Sequence, residues 1–150
     1  MGVIFKASTQ LFVFEAVSPV QKTTLLSWIS RGKGHRYAVK RLRSAESKLT
    51  AETIDNMRRL GTAWLGRPYD LKFQWSDDDL YCSELVFKLF ERGAGVRLGR
   101  LQRAGDMNLD NPLVQKALKQ RFAEVRFNPA ETVVTPDSIF NDSQLVDVEP

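Results

Sequence analysis

The sequence predicts an α+β domain, a mainly antiparallel sheet packed against helices, and three observations carry that expectation. Residues 2–7 and 10–17 are rich in Val, Ile and Phe and are broken only at Ser8-Thr9, which reads as a strand pair. Residues 50–65 and about 80–92 carry apolar side chains at helical spacing. A length of 150 residues suffices for one domain with its own core and is short for two ordinary ones. A single domain spanning 1–150 is therefore expected.

The first strand pair is asymmetric. Leu11-Phe12-Val13-Phe14-Glu15-Ala16-Val17 is apolar on both faces, the pattern of a covered central strand, and Pro19 ends it. Residues 24–30 suit a short helix stopped by Gly32 and Gly34. Residues 37–42 alternate as a third strand. Thr50 is placed to cap the helix over 50–65, with Glu52 and Asp55 near its positive end. Ile54, Met57, Leu60, Ala63 and Trp64 form its stripe, and Gly66 and Pro68 close it. A loop over 69–79 carries Trp75 and the acids Asp77, Asp78 and Asp79. The helix over 80–92 ends at Gly93 and Gly95. Beyond it the pattern predicts a helix over 112–121, a strand over 123–127, a helical turn over 136–140 and a strand over 145–148.

Composition excludes several classes. Hydrophobic residues make up 43% and charged residues 27%, with a formal net charge of +4, a soluble globular balance. Basic residues gather in Arg31-Gly32-Lys33-Gly34-His35-Arg36 and Lys40-Arg41-Leu42-Arg43. No nucleic-acid module surrounds them, so no nucleic-acid partner is expected and the patch reads as a solvated face. One cysteine rules out an internal disulfide and a cysteine zinc site. With a single histidine, no metal or other cofactor is expected. No apolar run approaches the roughly 20 residues of a membrane span. Met1–Phe5 enters a strand directly, without a charged start and long apolar stretch. Compartment and oligomeric state stay open.

Three residues stand out chemically. Cys82 opens a helix whose stripe continues through Leu85, Val86, Leu89 and Phe90. It reads either as a buried structural cysteine or as a thiol whose ionised form a helix N-terminus favours. The three acids upstream oppose the second reading. Glu15 interrupts an apolar strand. A buried carboxylate requires a donor, supplied either by a wet patch or by a histidine that it orients. His35, in a Gly-rich basic loop, reads as a solvated residue before it reads as a base.

Specific runs carry a family resemblance. Gly66-Arg67-Pro68-Tyr69-Asp70-Leu71, Trp75-Ser76-Asp77-Asp78 and Tyr81-Cys82-Ser83-Glu84-Leu85-Val86 resemble the YiiX/YebB-like permuted branch of the NlpC-type papain-like cysteine hydrolases. Val13–Val17 with Pro19, Leu25, Trp28 and Ile29, then Val39–Leu42, Asn111–Val114 and Val134–Pro136 are similar too, so the resemblance covers nearly the whole chain. It implies a circularly permuted papain-like fold in which the histidine precedes the cysteine. It implies Cys82 as nucleophile, Glu15 as the histidine's acidic partner, Tyr69 and Tyr81 lining the cleft, and the Cys82 N–H holding the oxyanion. The implied reaction is hydrolysis of an amide in a peptide or amino-acid conjugate, cell-wall peptides among them.

The sequence departs from that family at one point. The family's histidine stands in the first strand in a Ser-His-x-Gly-like context, and the matching segment here, Met1-Gly2-Val3-Ile4-Phe5, begins one residue later. The family's preceding turn and strand have no counterpart either. The expectation is a domain lacking its N-terminal segment. If Ser8-Thr9 is a two-residue turn, Gly2 faces Glu15, and a residue just before Met1 shares that face. Without the histidine, general acid catalysis is lost, commonly about 10²–10⁴-fold. The alternative is a non-catalytic remnant that binds a peptide or amino-acid ligand in the former cleft.

Overall fold

The computed structural model describes residues 1–107 and 128–149. The helix expected over 112–121 and the strand expected over 123–127 lie outside them. The protein is α+β, and among the described residues its strands form three antiparallel sheets.

Strands β1 (Val3–Ala7) and β2 (Gln10–Glu15) form the expected hairpin about Ser8-Thr9. Val3 pairs with Phe14 and Ala7 with Gln10, so one further step sets Gly2 opposite Glu15. Ser8 adopts φ 55°, which turns the chain in two residues. Strand β2 stops at Glu15, two residues before the apolar run does. A strand that the pattern does not predict, β3 (Gln21–Thr24), pairs with its other edge. Gln-Lys-Thr-Thr has no apolar alternation, and its pairing comes from β2 rather than from its own composition.

Helix α1 (Leu25–Ser30) begins where Thr24 accepts the Ser27 N–H at 3.3 Å. Strand β4 (Val39–Leu42), shorter than expected, pairs with β7 (Leu145–Val148). A one-turn α2 (Ala45–Lys48) leads to α3 (Ala51–Ala63), capped by Thr50, which accepts the Thr53 N–H at 3.2 Å. Helix α4 (Cys82–Ala94) ends on Gly95 in the left-handed region. Two three-residue strands, β5 (Leu101–Arg103) and β6 (Thr132–Val134), pair with each other, and α5 (Pro136–Phe140) follows with Thr135 as its cap.

One core joins these parts. Phe5 and Phe14 meet edge to face at 5.2 Å. Helix α3 lies over Phe14 at Gly61, where an added Cβ would come within 3.2 Å of the ring. Helices α3 and α4 cross where Gly93 meets Met57. A Cβ on Gly93 would stand 2.4 Å from Met57 Cγ and 3.0 Å from its Cα, so backbone as well as side chain would have to move. Leu80, Leu85, Leu89 and Leu98 fill the space between α4 and the rest of the core.

The Gly93 contact yields a stability test. Helix propensity alone would make Gly93→Ala stabilising by up to about 1 kcal/mol. Overpacking typically costs about 1–3 kcal/mol, and the contact with the Met57 backbone makes it the larger effect. Urea unfolding of Gly93→Ala should show a net loss of roughly 1–2 kcal/mol.

Candidate active site

Helix α4 is unusual in being buried on nearly every side of its first two turns. From Leu80 to Leu89 every residue is buried except Cys82, which is partly exposed. The expected stripe accounts for Leu85, Val86 and Leu89. It does not account for the burial of Ser83, Glu84, Phe87 and Lys88. Those side chains face β6 and the loop over 69–79, which cover the flank that helical periodicity assigns to solvent.

A buried polar flank must be satisfied from within the protein. Ser83 Oγ donates to the Val134 carbonyl at 2.8 Å, and the Val134 N–H donates to the Tyr81 hydroxyl at 3.0 Å. Both polar groups of Val134 are thereby tied to the start of α4. Glu84 accepts the Tyr81 N–H at 3.3 Å, closing the first turn around Cys82. Glu84 is also paired with Lys88 at 2.7 Å. The Lys88 ammonium, only 1% exposed, donates further to Asp77 at 2.8 Å and to the Ser76 carbonyl, and lies 4.8 Å from the Trp75 ring centroid. Arg92 holds the other oxygen of Asp77. Burial pushes the Glu84 carboxyl up to about 7 against the pull of Lys88. The Arg92 hydrogen bond, with Lys88 adding to it, holds Asp77 at about 2.

The loop is pinned at its neck as well. Asp70 N–H donates to the Leu80 carbonyl and Leu80 N–H to the Pro68 carbonyl, both at 3.2 Å. Asp70 is fully buried. Its Oδ1 accepts the Lys72 N–H at 2.7 Å, while among the described residues Oδ2 has no hydrogen-bond partner. Burial raises its pKa, and the neighbouring Asp79 adds to the rise.

Glu15 has its own donor set. It closes β2 at 3% exposed, and its Oε1 accepts Thr23 Oγ1 at 2.7 Å, Gln21 Nε2 at 3.1 Å and the Arg31 guanidinium. Among the described residues no donor is paired with Oε2. Burial pushes the carboxyl upward, but the bonds from Thr23, Gln21 and Arg31 outweigh it and leave its pKa below the ordinary value. Alternation along β2 sends Phe14 toward α3 and Glu15 to the opposite face, where α1 packs.

The site residues inferred from sequence thus fall in different settings. Cys82 and Glu15 stand on elements that touch, α4 and β2, and among the described residues no hydrogen bond joins the two side chains. Tyr69 is half-buried against the core. Tyr81 was expected to line the cleft. It is instead 2% exposed, stacked edge to face on Phe73 at 4.9 Å, with its hydroxyl given to Val134. His35 is exposed on a 3₁₀ turn after α1. The three acids upstream of Cys82 are less opposed to a thiolate than their charges imply, because Asp77 is neutralised by Lys88 and Arg92. Sequence analysis missed Arg31, Lys88 and Asp70. Lys88 had one signal, its i, i+4 spacing from Glu84, which reads equally well as a surface pair.

The Glu15 cluster fixes the sign of a pH effect. Its folded pKa is lowered, so its contribution is present above the unfolded carboxylate range and is lost as pH falls through the folded value. Glu15→Gln should lower unfolding free energy at pH 7 by about 1–3 kcal/mol. The gap between wild type and variant in urea titrations should narrow steadily as the pH is taken down into the acid range.

Comparison with known proteins places this arrangement. Residues 1–149 match the family model described as permuted papain-like amidase enzyme, YaeF/YiiX, C92 family. The chain is 37% identical over 147 residues to the YiiX protein of Escherichia coli (strain K12), covering 98% of this chain and 71% of that one. Its fold superposes with TM-score 0.87 and 38% identity on a crystal structure described as the metalloprotein YiiX from Escherichia coli O157:H7, covering 99% of this chain and 80% of that one. A mixed fold of antiparallel ladders and helices, with the single cysteine opening the central helix, is therefore the fold of a family: the chain belongs to the YaeF/YiiX, C92, family of permuted papain-like amidases.

Proposed function

We propose that this protein is a cysteine hydrolase that cleaves amide bonds in peptides or amino-acid conjugates, with Cys82 as nucleophile. The observation that carries the reading is the exposure of Cys82 alone within a buried ten-residue stretch, at a helix N-terminus. A thiolate there attacks the amide carbonyl carbon. The Cys82 N–H, at the positive end of α4, stabilises the oxyanion that forms. Departure of the amine requires a proton and leaves a thioester, and its hydrolysis requires an activated water; an imidazole ahead of Met1 would supply both.

Glu15 is the group we assign to orient that imidazole, through Oε2. The hairpin register supports this: a histidine one position ahead of Met1 would stand diagonal to Glu15 on the same sheet face. A second reading has support of its own. Three donors already converge on Glu15 Oε1, which suits a structural counter-ion to Arg31, and His35 lies on an exposed turn. Under that reading the protein binds a peptide or amino-acid ligand beside Cys82 without cleaving it. Among the described residues no group of three His, Cys, Asp or Glu side chains gathers to hold an ion.

Adding an imidazole separates the two readings. Extending the chain by a short strand ending in Ser-His before Met1 should raise the rate of Cys82 alkylation near pH 7 by about tenfold, as a neighbouring imidazolium lowers the thiol pKa. Cys82→Ala should abolish labelling, and Glu15→Gln should reduce the gain. Amide protection of the added strand shows whether it has docked. Equal rates with a docked strand would sink the triad and leave the binding reading.

A further inference from the structure

We propose that Glu84 is a positioning residue for Cys82, and that through Lys88 it makes the geometry of the thiol depend on how the loop over 71–79 is docked. The inference rests on the reading of Cys82 as nucleophile. Its basis is one continuous chain of contacts. The Tyr81 N–H, in the peptide before Cys82, bonds to Glu84 Oε2, and Glu84 Oε1 bonds to Lys88 Nζ. Lys88 Nζ bonds to the Ser76 carbonyl and to Asp77 Oδ1 and lies over the Trp75 ring. Every link from Tyr81 to Lys88 is buried.

Each link has few alternatives. An ammonium cannot stay buried without acceptors, so Lys88 holds the loop or draws in water. A buried Glu84 that loses Lys88 keeps its proton. It then presents a hydroxyl as well as a carbonyl oxygen to the first turn of α4, and the N-terminal geometry changes. The loop is joined elsewhere too, since Trp75 packs edge to face on Phe87 at 5.5 Å and its backbone N–H donates to the Glu131 carboxylate at 3.1 Å. Lys88 is nevertheless the group among these that also reaches the helix start.

The charged groups around Glu84 come from both packed elements. Lys88 and Arg92 stand on α4 itself, Asp77 on the loop, and Asp70 at the loop's neck, where its charge also raises the Glu84 carboxyl. Burial pushes the Glu84 carboxyl up to about 7. Ionised, it opposes a thiolate two residues earlier in the same turn.

The test is the rate of Cys82 alkylation by iodoacetamide against pH, read beside amide exchange of residues 71–79. In Glu84→Gln the side chain still accepts the Tyr81 N–H but no longer titrates. Its alkylation should be about threefold faster than wild type at pH 8 and equal to it where the thiol is fully ionised. The inflection near pH 7 should disappear from its profile. Lys88→Met should raise loop exchange about tenfold. It should also change alkylation at high pH, where charge effects on ionisation have vanished and geometry remains. Should Lys88→Met fail to fold, Asp77→Asn loosens the loop from its exposed side and should move both readouts the same way. A released loop with unchanged alkylation at every pH, or a Glu84→Gln profile that overlies wild type, would overturn the proposal. Alkylation needs no substrate. Absence of amidase turnover therefore leaves this coupling standing, and absence of coupling leaves the amidase assignment standing.

Discussion

Burying a helix that carries Ser, Glu and Lys on its inner turns is the constraint around which the described structure is arranged. Water would have satisfied those groups on an ordinary amphipathic helix. Here Val134 of β6 takes Ser83 and the Tyr81 hydroxyl, and the loop before α4 takes Lys88. Both covering elements come from remote or irregular parts of the chain. They are held less by apolar area than by the cost of leaving polar groups unpaired in a medium of low dielectric constant. The partial exposure of Cys82 follows from the same arrangement, because it opens the helix where neither cover closes completely.

A buried ion pair of this kind is a weak source of stability. Replacing such a pair by apolar residues of similar volume is often neutral or better. What Glu84 and Lys88 supply is specificity of placement. Each has few orientations that satisfy it, so the loop and the first turn of α4 have few relative positions available. Glu15 follows the same logic at the end of β2. Thr23 and Gln21, on a strand with little strand propensity, fix a carboxylate that an apolar neighbour could not address.

Much of this was legible from local pattern. The hairpin register followed from a two-residue turn, and the helices over 50–65 and 80–92 followed from periodicity and from Thr50 and Gly95, although Gly93, expected to end the second, lies inside α4. The terminal strand over 145–148 and the helical turn over 136–140 were legible for the same reason. What pattern could not show was anything fixed by a distant partner. Strand β3 exists because β2 offers it an edge, and β5 and β6 because they meet each other. The site divides in the same way. Cys82 and Glu15 drew attention as chemical anomalies within regular elements. Arg31 and Lys88, which answer the buried acids, look like ordinary surface charges until tertiary contacts pair them, Lys88 in the interior and Arg31 from an exposed position.

The pairing of β4 with β7 bears on how the chain reaches this state. Leu42 lies opposite Leu145 and Val39 opposite Val148, roughly a hundred residues away. The hairpin and the helices close over short distances and can form as soon as they emerge during synthesis. Strand β4 cannot, because its partner is made roughly a hundred residues later. Until then Leu42, buried in the finished protein, sits on an unpaired strand with both hydrogen-bonding edges open. Lys40, Arg41 and Arg43 flank it. A basic run of this kind, which reads as a solvated face in the folded protein, is what separates copies of an orphaned strand by charge until its partner strand is made.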